Sequence, residues 1–232
     1  MFPLRDNIPS RRFPVVTLGI IVLNVVVFLH ELKLGRHLQD FIIQYAIVPA
    51  RYTTPDVAQR FTLTQQIIPF FSSMFLHGGW LHLIGNLWAL WIFGDNVEDR
   101  LGKVRYAGLY LAGGVVAALV HILVNRDSTL PTLGASGAIA AVMGAYFRFY
   151  PYARVDTLIP PFFLGPTFSL PAVMFLGWWF LLQFFNGALS LGARGSFGGV
   201  AWWAHVGGFA FGLLVCLFAS RRPPASGRFV RV

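Results

Sequence analysis

Two side chains of the types used in nucleophilic hydrolysis interrupt long apolar stretches of this sequence. Ser136 lies in the segment Gly134-Ala135-Ser136-Gly137 at the start of one stretch, and His205 lies a few residues into another. A serine hydroxyl becomes a useful nucleophile when a neighbouring base such as histidine accepts its proton. A third stretch carries His82 and Asn86, which are four residues apart and therefore share one helix face. The chemistry that Ser136 and His205 would support together is acyl transfer.

Each of these residues also has a purely structural interpretation. Ser136, close to two glycines, is compatible with a helix N-cap or with close packing between helices. His205 could be a packed, hydrogen-bonded histidine, and His82 with Asn86 could hold two helices together. An ionisable side chain such as His205 inside an apolar stretch is costly, however, and this cost favours a functional role.

The elements that must position these residues are predicted to be membrane helices. Of the 232 residues, 56% are hydrophobic and 12% are charged, whereas soluble domains have roughly 25% charged residues. Lipid can solvate apolar surface that a soluble fold of this size could not bury. We therefore expect an all-α polytopic membrane protein in which residues 1–232 form one six-helix domain. The expected spans are approximately 14–30, 80–93, 105–124, 133–150, 170–189 and 200–219, with a long outer loop at 31–79.

The basic residues predict the orientation of this bundle. The net charge is +9, but the basic residues lie in short connectors and form no stripe interleaved with aromatics, so nucleic-acid binding is not expected. With six spans, one side holds both termini and 12 of the 18 Lys and Arg residues. The positive-inside rule makes that side cytoplasmic. The stretches carrying Asn86, Ser136 and His205 then run in the same direction, which puts these side chains at a similar depth near the outer face.

Small residues predict close contact between the fourth and sixth stretches. Membrane helices approach closely where small residues recur at every fourth position. Such a contact would bring the Ser136 hydroxyl within hydrogen-bonding reach of the His205 ring. The two stripes consist of Ser136, Ala140 and Gly144 in one stretch and Ala204, Gly208 and Gly212 in the other.

Four motifs resemble those of the rhomboid family, and they occur in the family's order over nearly the whole chain. Gly134-Ala135-Ser136-Gly137 is similar to the family's nucleophile motif. Ala204-His205-Val206-Gly207-Gly208, followed by Gly212, is similar to its base motif. Residues 75–86 resemble the second-helix motif, and residues 94–102 resemble the connector that follows it.

The resemblance implies an intramembrane serine endopeptidase that cleaves single-span membrane proteins within or beside the span. Ser136 would attack the scissile carbonyl, and His205 would take its proton and pass it to the leaving amine. The Ser136 backbone N–H and the side chains of His82 and Asn86 would stabilise the transition-state charge. The family uses a Ser–His dyad without a third acid, and this sequence has no Asp or Glu inside the fourth or sixth span.

The same resemblance sets the expected partners and location. Single-span substrates and the lipid bilayer are the expected partners, and no cofactor is expected. Nothing in the sequence fixes the oligomeric state. The plain six-helix core suggests the prokaryotic type, in a plasma (inner) membrane, with the active site towards the outer face.

The sequence departs from some family members at one supporting position. Ala140 stands where some relatives carry an aromatic residue that packs on the catalytic histidine, so Trp202 or Phe209 is expected to support His205 instead. The long loop also lacks the Trp-Arg pair of some bacterial relatives, which leaves its anchoring unexplained.

Other functions are less compatible with the sequence. The main alternative is a non-catalytic rhomboid-like protein that binds transmembrane helices, but such proteins usually lose the serine or the histidine. A transporter or channel would show charged residues in mid-span and paired broken helices, and neither pattern is found. No His-Glu-x-x-His motif occurs, and Cys216 is the only cysteine, so no metal site is expected.

Overall fold

The computed structural model describes residues 1–158, 167–192 and 200–218, and most of these residues are helical. The last residue of the predicted sixth span, position 219, and the basic C-terminal tail lie outside the described residues. Short 3-10 turns occur at Gly35–His37 and Ser73–Phe75. In chain order the described helices are α1 (Val15–Lys33), α2 (Leu38–Tyr45), α3 (Ala50–Thr53), α4 (Pro55–Ala58), α5 (Leu63–Ile67), α6 (Pro69–Ser72), α7 (Trp80–Leu101), α8 (Lys103–Val124), α9 (Ser136–Phe149), α10 (Ala172–Gly192) and α11 (Trp202–Leu217).

Helix length supports an α-helical membrane protein but does not establish six spans. Among the described residues, α1, α8 and residues Ala172–Leu191 of α10 are long and apolar enough to cross a membrane. A fourth span results if Leu63–Phe75 is counted together with α7, from which it is bent by 79°. Helices α9 and α11 have 14 and 16 residues, fewer than the roughly 20 that a full span needs.

Helix α7 is longer than the predicted second span. It has 22 residues and continues to Leu101, through a mixed-charge segment that the sequence analysis treated as a connector. Glu98 and Asn96 in this segment are buried, and both have hydrogen-bond partners. Pairing offsets the cost of burying polar groups, so the helix can continue past the end of the apolar run.

A small antiparallel sheet, unexpected in an all-α protein, joins the N-terminus to the segments that follow α9. Strands β1 (Phe2–Asp6), β2 (Arg154–Leu158) and β3 (Phe168–Pro171) lie in the order β1-β2-β3. Phe2 pairs with Leu158, and Arg154 pairs with Pro171. The prediction of purely helical structure is wrong in this detail. The strands have only four or five residues each, and β1 takes its partner from a distant part of the chain.

Helix α9 is largely buried and packs against α7, α8 and α11. The predicted close contact of α9 with α11 is confirmed. A methyl group at Gly208 would overlap the carbonyl oxygen of Gly137, and one at Gly212 would overlap that of Ala141. Backbone can meet backbone here because these glycines have no side chain. This contact holds the start of α9 against the start of α11.

Helices α1 and α7 are joined at both ends by buried carboxylates. At the start of α1, where no side chain of its own caps the helix, Glu98 accepts hydrogen bonds from the backbone N–H groups of Val16 (3.0 Å) and Thr17 (2.8 Å). The Thr17 hydroxyl also donates to Glu98, at 2.8 Å. At the other end, Glu31 accepts from the backbone N–H of His77 at 3.1 Å, just before α7. These contacts therefore fix the position of α1 along α7.

The long loop is anchored by Arg51, a residue that the sequence analysis did not identify. Its guanidinium is buried and donates to the carbonyl oxygens of Ile43, Gln44 and Gln65 at 3.0–3.3 Å. It also lies 3.7 Å from the centre of the Phe61 ring, a distance suited to a cation–π contact. Arg51 therefore ties together three segments of a loop that has no Trp-Arg pair.

Candidate active site

Ser136 is the first residue of α9 and follows a turn that only glycine adopts easily. Gly134 has a φ of +125°, in the region that residues with a Cβ avoid. Its N–H donates to the carbonyl oxygen of Ser73 at 2.8 Å, which fixes the turn against the segment before α7. Because Ser136 begins a helix, its backbone N–H has no acceptor within that helix. The N–H is therefore available to a ligand beside the hydroxyl.

The Ser136 hydroxyl and the His205 ring are in hydrogen-bonding contact. Ser136 Oγ lies 2.8 Å from His205 Nε2. His205 is in the first turn of α11 and is only 9% exposed, whereas Ser136 is half-buried. The glycine contact between α9 and α11 accounts for this distance, since it brings the two helix starts together. The two side chains come from helices that are far apart in sequence.

The opposite nitrogen of His205 contacts Gln183, which the sequence analysis missed. Gln183 Oε1 lies 2.7 Å from His205 Nδ1, and the Gln183 side chain is buried in α10. An amide oxygen can only accept, so Nδ1 carries the hydrogen and Nε2 is the acceptor facing Ser136. One signal for Gln183 was present in the sequence, because it is the one amide or ionisable side chain in the apolar run 172–185.

Aromatic rings support His205, although not entirely as expected. The Trp179 ring lies 5.8 Å from the His205 ring at an interplanar angle of 34°, and Trp202 meets it edge-on at 6.4 Å. Trp202 was one of the two predicted supports. Phe209, the other, packs against Trp179 at 6.1 Å. Trp179, which the sequence analysis did not single out, thus lies against the His205 ring in a tilted arrangement and supplies the expected aromatic contact.

His82 and Asn86 both face the glycine that precedes the serine. A Cβ built on Gly134 would lie 2.7 Å from His82 Nε2 and 3.6 Å from Asn86 Nδ2. His82 Nδ1 accepts from the backbone N–H of Gly78 at 3.4 Å, so Nε2 carries the hydrogen and points towards Gly134. Asn86 is 7% exposed, and its Nδ2 has no hydrogen-bond partner within the described residues. Two side-chain donors therefore converge on the space beside Ser136.

The segments around this space are fixed by two further histidines. The His77 ring packs at 5.1 Å from the His82 ring, and its Nδ1 lies 3.3 Å from the carbonyl oxygen of Phe75. His121, at the end of α8, contacts the Thr132 hydroxyl at 2.9 Å, just before the Gly134 turn. Neither ring touches Ser136, and both act on the backbone that carries the candidate site residues.

The comparisons with known proteins agree on one family. A family model described as the Rhomboid domain matches residues 64–222. The human presenilin-associated rhomboid-like protein, mitochondrial, is 31% identical over 208 residues, covering 84% of this chain and 46% of that protein. Rhomboid protein 1, mitochondrial, of Saccharomyces cerevisiae is 26% identical over 201 residues, covering 82% of this chain and 51% of that protein. The chain thus spans about half the length of these curated relatives.

These relatives correct the predicted location. Both are named as mitochondrial proteins, so the placement in a plasma (inner) membrane, with cytoplasmic termini and an outward-facing site, is wrong. The plasma membrane was inferred from the plain six-helix core, and the number of helices does not identify which membrane a protein occupies. The distribution of Lys and Arg distinguishes only the two sides of a membrane.

Proposed function

Because this chain belongs to the rhomboid family, we propose that it is an intramembrane serine endopeptidase that hydrolyses peptide bonds of membrane proteins. The observation that carries the proposal is the 2.8 Å contact between Ser136 Oγ and His205 Nε2. Its substrates are single-span membrane proteins cut in or near the span. Residues 1–232 act as one domain, and the short helices α9 and α11 complete a set of six spans with α1, α7, α8 and α10.

The first half of the reaction acylates Ser136. His205 Nε2 takes the hydroxyl proton as Oγ attacks the scissile carbonyl carbon, and the carbonyl oxygen becomes negatively charged. The protonated ring then gives its proton to the leaving amine, and the C–N bond breaks. In the second half, a water molecule loses a proton to His205 and attacks the acyl-enzyme. The bond between Ser136 Oγ and the acyl carbon then breaks, the protonated His205 ring returns its proton to Oγ, and the acid product leaves.

Three donors stabilise the negative oxygen in this mechanism. They are the Ser136 backbone N–H at the start of α9, His82 Nε2 and Asn86 Nδ2. The two side chains converge beside Gly134, and Asn86 Nδ2 has no competing acceptor among the described residues. Donors that are already oriented need no reorganisation as charge develops, which is why such groups lower the barrier.

The proposal is tested with the purified protein in liposomes and a tagged single-span reporter. The parent is expected to cleave the reporter, and Ser136→Ala is expected to lose about 10⁴- to 10⁶-fold in kcat, as in other serine hydrolases. Ser190→Ala is the matched control, because the Ser190 hydroxyl donates to the Gly187 carbonyl of its own helix. His205→Ala should behave as Ser136→Ala does while its thermal unfolding stays close to that of the parent.

A serine-directed fluorophosphonate separates the possible negative results. If the reporter is not cut but Ser136 is labelled, the enzyme has been given the wrong substrate. If a folded parent is neither active nor labelled, the proposal fails, and the non-catalytic helix-binding function takes its place.

A further inference from the structure

Gln183 occupies the side of His205 that faces away from Ser136. We propose that Gln183 is a positioning residue that holds the His205 ring in the tautomer and orientation required to accept the Ser136 proton. This inference rests on the proposed function, because it assigns a role within the same site. The family resemblance implied a serine and a histidine without a third acid, and Gln183 is a neutral third member that the motifs did not indicate.

The geometry permits only one productive tautomer. A neutral imidazole carries its hydrogen on either Nδ1 or Nε2. The 2.7 Å contact between Gln183 Oε1 and His205 Nδ1 requires the hydrogen on Nδ1. Nε2 is then a free acceptor at 2.8 Å from Ser136 Oγ. With the other tautomer, Nε2–H would face the hydroxyl and could not remove its proton.

Because both side chains are buried, water does not compete with Gln183 for the hydrogen on His205 Nδ1. Gln183 is 7% exposed and His205 is 9% exposed. A buried N–H without an acceptor is unfavourable, so the ring in this position depends on the amide oxygen. A carboxylate would also accept the hydrogen bond, but it would introduce a charge into an otherwise apolar stretch of a membrane helix, which is costly.

Helix α10 supplies a second contact from the same face. Trp179 precedes Gln183 by four residues, so the two side chains project from one side of the helix. The Trp179 ring lies 5.8 Å from the His205 ring. One helix therefore sets both the tilt of the imidazole, through the ring contact, and its tautomer, through the hydrogen bond. A change in the position of α10 relative to α11 would therefore change how well His205 accepts the Ser136 proton.

The test compares Gln183→Met, which keeps the length of the side chain but removes the acceptor, with Gln183→Glu, which keeps the acceptor. Gln183→Met should lower kcat by about 10²-fold with little change in KM. That is a smaller loss than the roughly 10⁴-fold caused by a wrong tautomer in a serine protease triad. The kcat of Gln183→Glu should be about tenfold or more above that of Gln183→Met, since a carboxylate accepts a hydrogen bond from Nδ1. Asn186→Leu is the control on the same helix, because the Asn186 amide donates to its own Leu182 carbonyl at 2.7 Å.

A spectroscopic measurement reports the tautomer without requiring catalysis. In ¹⁵N-histidine-labelled protein in micelles, the His205 signal is identified by its absence in His205→Ala. The parent and Gln183→Glu should show the hydrogen on Nδ1, whereas Gln183→Met should show a substantial Nε2–H population. A ring that stays in the Nδ1–H form in Gln183→Met, with kcat unchanged, would overturn the inference.

The two proposals fail in different ways. If neither cleavage nor fluorophosphonate labelling of Ser136 occurs in the parent, the protease function is wrong, but the nitrogen spectra still decide whether Gln183 fixes the ring. If the parent is active and Gln183→Met is equally active, the protease function stands and the role of Gln183 does not. If Gln183→Met does not fold, Gln183→Glu decides: loss of both activity and the Nδ1–H form in that folded variant would refute the inference.

Discussion

The two ends of helix α7 use polar side chains in opposite ways. In its first turns, Asn86 is buried with Nδ2 unpaired within the described residues, and His82 Nε2 faces the space beside Gly134. In its last turns, Glu98 accepts three hydrogen bonds, from Val16 and Thr17, and Asn96 donates to Asp6 at 3.1 Å. Buried polar groups are normally paired. The paired end therefore stabilises the fold, and the unpaired end holds the donors proposed to stabilise the negative oxygen of the substrate.

The largest effect that tests this contrast is expected at Asn86. Asn86→Ala should lower kcat by about 10²- to 10³-fold, the range found when one oxyanion donor is removed. Its free energy of unfolding should change little, since Nδ2 makes no hydrogen bond that the substitution would break. Reporter cleavage and thermal unfolding in micelles measure the two quantities. A marked loss of stability with unchanged kcat would instead make Asn86 a structural residue.

The opposite result is expected at Glu98. Glu98→Gln should lower the free energy of unfolding by about 1–3 kcal/mol, because an amide NH₂ cannot accept from the donors of Thr17 that Glu98 Oε2 now binds. The kcat of the molecules that remain folded should stay near that of the parent. Asp99→Asn is the matched control on the same helix, since the hydrogen bond that Asp99 accepts from the backbone N–H of Arg11 is longer, at 3.4 Å. Equal destabilisation by both variants would show that charge alone matters here.

The last effect concerns pH, at the paired end. Burial raises the pKa of Asp6 to about 7; the hydrogen bond from Tyr146 opposes this rise and the Asp95 carboxylate adds to it. The folded state thus binds the proton more tightly than the unfolded chain, whose carboxyl has its ordinary pKa of 3.8. The free energy of unfolding should therefore fall as the pH rises from 3.8 to about 7, by at most about 1.4 kcal/mol per pH unit.

Asp6→Asn isolates this contribution. Residue 6 cannot titrate in the variant. As the pH rises through that range, the free energy of unfolding of the parent should therefore fall relative to that of the variant. Above that range, the difference should be constant. Asp156→Asn is the contrasting control, because the hydrogen bond from Arg5 lowers the pKa of that partly exposed carboxyl. A difference between parent and Asp6→Asn that does not vary with pH would mean that folding leaves the pKa of Asp6 unchanged.

The candidate site was more predictable from the sequence than the groups that support it. Ser136 and His205 could be paired because each interrupts an apolar stretch near the same end of parallel helices, and small-residue stripes predicted the contact between those helices. Gln183 could not be assigned, because one glutamine in an apolar run does not reveal which neighbour it faces. Trp179 was hidden for a similar reason, among several aromatic residues of one helix.

The parts of the fold that the sequence did not reveal depend on distant segments. The strands β1 and β2 lie at opposite ends of the first two-thirds of the chain, and neither has enough length for a clear alternating pattern. Glu98 belongs to a mixed-charge segment, where a solvated connector was the simpler interpretation. Its role as the cap of α1 depends on a helix that lies more than 80 residues earlier. The buried Arg51 is likewise explained only by the carbonyl groups around it.

The carboxylates that join α1 and α7 also constrain how this protein can be made. Helix α1 is synthesised before α7, yet the acceptor for the backbone N–H of Val16 lies 82 residues later, and the partner of Glu31 lies 46 residues later. Until those segments are synthesised, α1 alone in lipid would have an unpaired carboxyl group at Glu31 and backbone N–H groups without acceptors at its start. We therefore expect α1 to reach its stable packing only after α7 has been synthesised.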